Sequence, residues 1–103
     1  MINIPDTVNW IDNKEARQYE WWIDGYLAKV EYRHMRQGGI ALTHTETAPE
    51  LEGKGVAGKL VKALLDHFTA EKIQIWPYCP YVYAYLQRHP EYKSLVHPEF
   101  SIQ

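Results

Sequence analysis

A short glycine-containing segment, residues 50–57, carries the clearest chemical signal in the sequence. Gly53 and Gly55 let the backbone approach a ligand because no Cβ stands in the way. Apolar residues at helical spacing follow the segment, so it opens a helix whose unpaired N–H groups and dipole attract a phosphate. Lys54 and Lys59 add positive charge at the rim. Residue types and spacing therefore predict a phosphate-binding turn, and the alternative is a turn with only a structural role.

Two other phosphate-binding motifs do not fit this segment. A dinucleotide-binding fingerprint needs a third glycine and an acidic residue about twenty positions further on, at the end of a strand. Gly53, Gly55 and Gly58 have the glycine spacing, but no acidic residue stands at the required place. A nucleoside-triphosphate P-loop ends in Gly-Lys-Ser/Thr, and this segment does not. The residues alone therefore predict a phosphate-bearing ligand without fixing its class.

The elements that must position this turn follow from hydrophobic periodicity. The predicted strands are residues 16–23, 26–33, 40–46 and 73–76, the predicted helices residues 56–70 and 80–86, and the irregular ends residues 1–13 and 91–103. Asp24-Gly25 supplies the tight turn of an antiparallel hairpin. In the third strand Ile40, Leu42 and His44 are predicted to share one face. A right-handed crossover must join the last two strands, so the expected fold class is α/β (an α+β mixed sheet), an antiparallel meander followed by strand-helix-strand-helix.

Five sequence blocks occur together in this order. They are His44-Thr45-Glu46, Leu51-Glu52-Gly53-Lys54-Gly55-Val56-Ala57, Leu60-Val61, Pro77-Tyr78-Cys79-Pro80-Tyr81-Val82 and Arg88-His89-Pro90-Glu91-Tyr92. Together they resemble the small single-domain, N-acetyltransferase-like branch of the GNAT superfamily, over roughly residues 16–96. The resemblance implies a truncated GNAT-type acetyltransferase fold, with residues 1–103 as one domain and acetyl-coenzyme A (acetyl-CoA) as cofactor.

The glycine turn itself resembles the Q/R-x-x-G-x-G/A acyl-coenzyme A signature of that superfamily. The resemblance implies that the cofactor pyrophosphate lies on the turn and that its pantetheine arm lies between two splayed strands, residues 40–46 and 73–76. The cofactor-binding residues are then Glu52, Gly53, Lys54, Gly55, Val56, Ala57 and Lys59, with Cys79 beside the pantetheine arm. Glu50 stands where the signature has Gln or Arg. A carboxylate is unfavourable beside a pyrophosphate, so backbone donors rather than this side chain are expected to hold the cofactor.

Acetyl transfer to an amine requires a base, because an alkylammonium is protonated at neutral pH. Superfamily members commonly use a glutamate on the strand that corresponds to residues 40–46, so the resemblance implies Glu46 as the base. His44, two residues earlier, would join a proton relay. The alternatives are that Glu46 only caps the loop and that His44 is a hydrogen-bonded core histidine.

Cys79 and Tyr85 are the other catalytic candidates. Cys79 precedes Pro80 at the start of the last helix, where a thiolate is more available, so a covalent acetyl-cysteine step is an alternative to lining the cofactor tunnel. Tyr85 lies roughly where larger relatives place a tyrosine that protonates the leaving thiolate, and Tyr81 is the alternative. The resemblance implies direct attack by the amine in a ternary complex.

Composition limits the remaining function classes. The chain of 103 residues has a net charge of -2, which gives no general attraction for nucleic acid or an anionic membrane. One cysteine excludes an internal disulfide, and neither a signal peptide nor an apolar run of ~18 residues is visible. We therefore expect a cytoplasmic protein without a metal, whose acceptor is a small-molecule or protein amine. The competing function is a non-catalytic module that binds acyl-CoA or CoA.

Overall fold

The computed structural model describes residues 2–100, in which one five-stranded sheet carries the strands in sequence order. The strands are β1 (Ile11–Asn13), β2 (Gln18–Ile23), β3 (Tyr26–His34), β4 (Ile40–Thr47) and β5 (Ile75–Pro77), and the helices are α1 (Val56–Glu71) and α2 (Pro80–Arg88). Strands β1 to β4 are antiparallel, and β5 pairs in parallel with β4. The predicted mixed α/β sheet is confirmed.

The hairpin of β2 and β3 forms as its alternating pattern predicts. Asp24 and Gly25 both have positive φ, 51° and 83°, which matches the twist of a tight antiparallel turn. Trp21 pairs with Ala28, and both side chains are buried against the helices. The hairpin therefore supplies one half of the hydrophobic core.

Helix α1 supplies the other half through one apolar face. Its buried side chains are Val56, Leu60, Val61, Leu64, Leu65 and Phe68, which recur at intervals of three and four residues. Burying each of them contributes about 1.5–3 kcal/mol relative to leaving it exposed. The helix ends at Lys72, whose φ of 57° is left-handed and whose N–H donates to the carbonyls of Phe68 and Thr69.

Both helices lie on one face of the sheet, the helix face. The hydroxyl of Tyr92, in the 3-10 turn Pro90–Leu95, donates to Asp66 of α1, and the hydroxyl of Tyr81 in α2 lies beside Gly58 of α1. The opposite side of the sheet is the outer face, where Trp22 is 52% exposed. The two helices and the turn therefore form one layer over the core.

A β-bulge at Thr43 reverses the alternation of side chains along β4. Tyr32 pairs with Leu42, but Glu31 pairs with His44, so Thr43 is an extra residue on β4. Leu42 lies on the helix face and is buried, whereas His44 lies on the outer face and is exposed. The prediction that His44 shares a face with Leu42 is therefore wrong, because one extra residue moves every later side chain to the other face.

The predicted irregular ends contain two short elements. Strand β1 lies within the predicted lead-in, and the 3-10 turn Pro90–Leu95 falls mostly in the predicted irregular tail. The three residues of β1 are too few to show the periodicity that predicts a strand. A hydrogen bond of 2.6 Å from the Tyr32 hydroxyl to Asp12 links the strand to β3. In residues 2–100 no helix combines the length and apolarity needed to cross a membrane.

Candidate active site

The glycine turn follows β4 through a 3-10 turn, Pro49–Leu51, whose last side chain is buried. Gly53 and Gly55 have φ of 77° and 76°, a conformation that L side chains rarely adopt. Apart from the adjoining residues, no heavy atom of the described chain lies within 4 Å of a Cβ built on either glycine. The backbone is therefore open to a ligand at both positions, and the turn geometry itself requires glycine.

The backbone N–H groups of this turn have no partner among the residues that the structure describes. The first hydrogen bond of α1 runs from the Lys59 N–H to the Gly55 carbonyl at 3.1 Å. Within residues 2–100 no backbone carbonyl accepts the N–H groups of residues 53–58, and no side chain caps the helix. The first turn of α1 also contains no acidic residue. These donors lie at the positive end of a sixteen-residue helix, an arrangement that could hold an anion such as a phosphate.

The side chains of the turn divide into two groups. Val56 is 1% exposed, so its side chain belongs to the core and only its N–H faces the site. Ala57 is partly buried. The charged side chains of the segment are all exposed: Glu50, Glu52, Lys54 and Lys59. The two exposed lysines could reach an anion at the rim, and within residues 2–100 the Glu50 side chain forms no hydrogen bond.

Strand β4 and the chain that leads into α2 diverge after a short parallel pairing, and we call the place where they diverge the opening. Parallel pairing between β4 and β5 covers three residues and stops at Leu42 opposite Pro77. One further bond, 2.8 Å long, joins the Cys79 N–H to the Leu42 carbonyl. Strand β4 continues to Thr47 along β3, while the chain after Cys79 turns into α2. The two predicted neighbours thus pair briefly and then separate.

The beginnings of the two helices meet beside this opening. The Tyr81 hydroxyl lies 3.4 Å from the position that a Cβ on Gly58 would occupy. Cys79 is the N-cap of α2, and Pro80 occupies its first turn. The opening is therefore bordered by β4 on one side and by the first turns of both helices on the other.

Cys79 is buried at the edge of the opening and contacts Thr45. Its Sγ lies 3.3 Å from the Thr45 Oγ1, and the residue is 2% exposed. In the described residues no histidine or carboxylate hydrogen-bonds this thiol, so it lacks the base that activates a nucleophilic cysteine. Thr45 reaches the helix face because it pairs with the buried Val30 beyond the bulge. Its contact with Cys79 was not predicted, because the sequence gives no sign of the bulge.

His44 and Glu46 lie together on the outer face. The His44 Nε2 is 3.0 Å from the Glu46 Oε1, and the two side chains are 53% and 62% exposed. The hydrogen bond from His44, with the charge of Lys29, lowers the pKa of Glu46. Lys29 itself pairs with Glu31 at 3.1 Å. The structure thus brings the two predicted proton-transfer residues into contact, and Glu46 is ionised at neutral pH.

The tyrosines of α2 have different surroundings. Tyr85 is buried, its ring stacks on His89 with centroids 4.1 Å apart, and burial raises its pKa. Tyr81 is 37% exposed, and its hydroxyl lies beside Gly58 in the first turn of α1. Tyr81 is therefore the tyrosine nearer the glycine turn, while the role of Tyr85 stays a prediction. No group of three or more His, Cys, Asp or Glu in residues 2–100 could hold a metal ion.

Comparisons with known proteins identify the family of the chain. A family model described as GCN5-related N-acetyl-transferase matches residues 18–95. The chain therefore belongs to the GCN5-related N-acetyltransferase family, which confirms the resemblance seen in the sequence blocks. Protein NATD1 of Gallus gallus is 28% identical over 87 residues, 82% of this chain and 79% of that protein. Protein NATD1 of Mus musculus is 28% identical over 80 residues, 76% of this chain and 73% of that protein.

Proposed function

We propose that this protein binds acetyl-CoA at the glycine turn and transfers its acetyl group to an amine. The observation that carries the proposal is the run of unpartnered N–H groups at residues 53–58, which lies beside the opening between β4 and α2. When bound, acetyl-CoA supplies the activated acetyl thioester that the amine attacks directly in a ternary complex. Membership of the family supports this reaction class.

The residues of the turn fit a pyrophosphate. The N–H groups of residues 53–57 would donate to its oxygens, and the empty space above Gly53 and Gly55 accommodates them. Lys54 and Lys59 would add charge, while Glu52 and Val56 contribute through the backbone. The pantetheine arm would run along the opening, past Thr45 and Cys79. In this role Cys79 lines the site and forms no covalent intermediate.

The acceptor amine would approach from the outer face, where Glu46 and His44 lie. The ionised Glu46 attracts a cationic amine and accepts its proton at a carboxylate oxygen, while the His44 Nε2, 3.0 Å away, hydrogen-bonds that carboxylate. The exposed Trp22 on this face offers a ring against which an alkylammonium can lie. A tyrosine of α2, Tyr85 or Tyr81, would return a proton to the departing sulfur.

The second candidate is a non-catalytic acyl-CoA or CoA-binding module. One observation favours it: the pKa of Glu46 is lowered, and an exposed carboxylate with a low pKa is a weak base at neutral pH. Such a module would use the glycine turn and the opening in the same way and would need neither Glu46 nor His44.

Release of CoA during incubation with acetyl-CoA and a panel of amines separates the two candidates. We expect wild-type protein to acetylate at least one amine. The Glu46→Gln variant should lose about 10²–10⁴-fold in kcat/KM, the usual contribution of a general base, with unchanged acetyl-CoA affinity. Glu71→Gln, at the far end of α1, is the matched control and should behave as wild type. Acetyl-CoA binding without acetylation of any amine would instead favour the binding module.

A further inference from the structure

A small basic cavity lies at the opposite end of the sheet from the glycine turn. Its volume is about 230 Å³, and Arg17, Arg33 and His34 line it. His34 pairs with Ile40 at the start of β4, whereas the glycine turn follows the end of that strand. Seven residue steps at about 3.3 Å each put roughly 23 Å between the two sites. The cavity is therefore separate from the proposed cofactor site.

Neither of the two arginines that line this cavity has an ion-pair partner among residues 2–100. In the part of the chain that the structure describes, no carboxylate forms an ion pair with Arg17 or Arg33. Asp12, which comes near through β1, instead accepts a hydrogen bond from the Tyr32 hydroxyl at 2.6 Å. Glu31 is held by Lys29. Two cations around one cavity repel each other, and an anion bound between them would remove that repulsion.

Arg17 has a strained, left-handed backbone conformation that is unusual for an arginine. Its φ is 56°, in the left-handed region, which costs a non-glycine residue about 1–2 kcal/mol. Two hydrogen bonds hold it there: its N–H donates to Lys14, and its carbonyl accepts from Tyr32 at 3.0 Å. Glycine or asparagine would adopt this conformation more easily. An arginine at this position supplies a guanidinium to the cavity that neither of them could supply.

The size and the donors of the cavity indicate a particular ligand. The cavity volume of about 230 Å³ is larger than the volume of several water molecules at about 30 Å³ each. It is smaller than the ~300 Å³ at which pockets for drug-sized ligands begin. Guanidinium groups bind phosphate and carboxylate oxygens with paired N–H donors. The His34 ring, packed edge-on against Tyr32 at 5.5 Å, adds one more nitrogen at the rim. We propose that Arg17, Arg33 and His34 bind a phosphate-sized oxyanion, such as inorganic phosphate or a phosphomonoester group.

The test is a titration with inorganic phosphate, followed by the NMR signals of the arginine Nε–Hε groups, at constant ionic strength set with chloride. We expect saturable shifts for Arg17 and Arg33 and none for Arg88 on α2. A phosphoserine peptide in a second titration shows whether a phosphomonoester binds at the same place. Equal responses to phosphate and chloride, or equal shifts at Arg88, would overturn the proposal.

The Arg17→Gly variant separates binding from folding, because glycine relieves the strained backbone. We expect it to melt within a few degrees of wild type and to bind phosphate at least tenfold more weakly, with Arg33→Gln losing affinity similarly and Arg88→Gln unaffected. Acetyl-CoA affinity should be unchanged in all three variants, so the outcome is independent of the proposed function. Wild-type phosphate affinity in Arg17→Gly would contradict the proposal.

Discussion

Replacing Gly55 by alanine adds one methyl group at the entrance to the proposed cofactor site. Gly55 has φ of 76° and ψ of 13°, and no heavy atom lies within 4 Å of the added Cβ. The methyl group therefore meets no protein atom, and the cost to the free protein is backbone strain alone. That strain is about 1 kcal/mol. For a domain of this size, it lowers Tm by roughly 4–8 °C.

The expected loss in acetyl-CoA binding exceeds the loss in the stability of the free protein. The methyl group projects into the space in front of the unpartnered N–H groups, so we expect acetyl-CoA to bind at least tenfold more weakly, a loss of about 1.4 kcal/mol. At a concentration of 100 times the wild-type Kd, the ligand stabilises wild-type protein by about 2.7 kcal/mol. A tenfold weaker site at the same concentration leaves about 1.4 kcal/mol. The rise in Tm on adding acetyl-CoA should therefore fall by about half or more.

A thermal-shift assay with and without acetyl-CoA measures both quantities, and Gly38→Ala is the matched control. Gly38 lies in the turn between β3 and β4, also has positive φ, 103°, and also has no heavy atom within 4 Å of a built Cβ. The control should lower Tm at least as much as Gly55→Ala and keep the full ligand-induced shift. An unchanged ligand-induced shift in Gly55→Ala would refute the placement of the cofactor on this turn.

Three further predictions concern side chains around the site and the core. Replacing His44 by alanine should raise the pKa of Glu46 toward its ordinary value, because the hydrogen bond that lowers it is lost; NMR titration of the Glu46 carboxyl carbon measures this, and an unchanged pKa would mean that His44 does not set it. Cys79→Ala should keep most of the acetyl transfer while losing about 1 kcal/mol of stability from the vacated volume; loss of activity in the folded variant would restore the nucleophile hypothesis. Tyr92→Phe removes a hydrogen bond to Asp66. Burial raises the pKa of Asp66, but the hydrogen bonds from Tyr92 and Lys62 outweigh burial, so the pKa is lowered overall. A carboxyl group whose pKa is lower in the folded state stabilises the fold at pH values above its unfolded pKa of about 3.9. That stabilisation is lost as the pH falls through the folded pKa. Urea unfolding should therefore show that the variant loses about 1 kcal/mol of unfolding free energy at pH 7, a figure already discounted for the half-exposed carboxylate, and less at pH 3. Equal losses of unfolding free energy at both pH values would contradict this assignment.

The parts of the fold that the sequence predicts are those that local interactions determine. The hairpin turn at Asp24 and Gly25 depends on two residues that tolerate positive φ. Helix α1 depends on the spacing of its own apolar residues. The glycine turn combines both signals, since Gly53 and Gly55 have positive φ and the helix begins one residue later. For these features the chemistry of neighbouring residues is sufficient.

The parts that the sequence does not predict depend on contacts between distant residues. The bulge at Thr43 arises from pairing with β3, and it places His44 on the outer face and Thr45 against Cys79. Alternation within β4 gives no sign of it, since polar residues occupy every position after Leu42 up to Thr47. The approach of Tyr81 to the first turn of α1 likewise depends on how the two helices pack. The turn geometry of the proposed cofactor segment is thus predictable from the sequence, whereas the arrangement of the side chains around the opening is not.

The most direct test of the account is a backbone amide NMR titration of the protein with acetyl-CoA, with nicotinamide dinucleotide as the comparison ligand. We expect saturable shifts of the amides of residues 53–58 with acetyl-CoA, and none of comparable size with the dinucleotide. Unchanged amides at residues 53–58, or a response to the dinucleotide alone, would contradict the assignment of the glycine turn as an acetyl-CoA site.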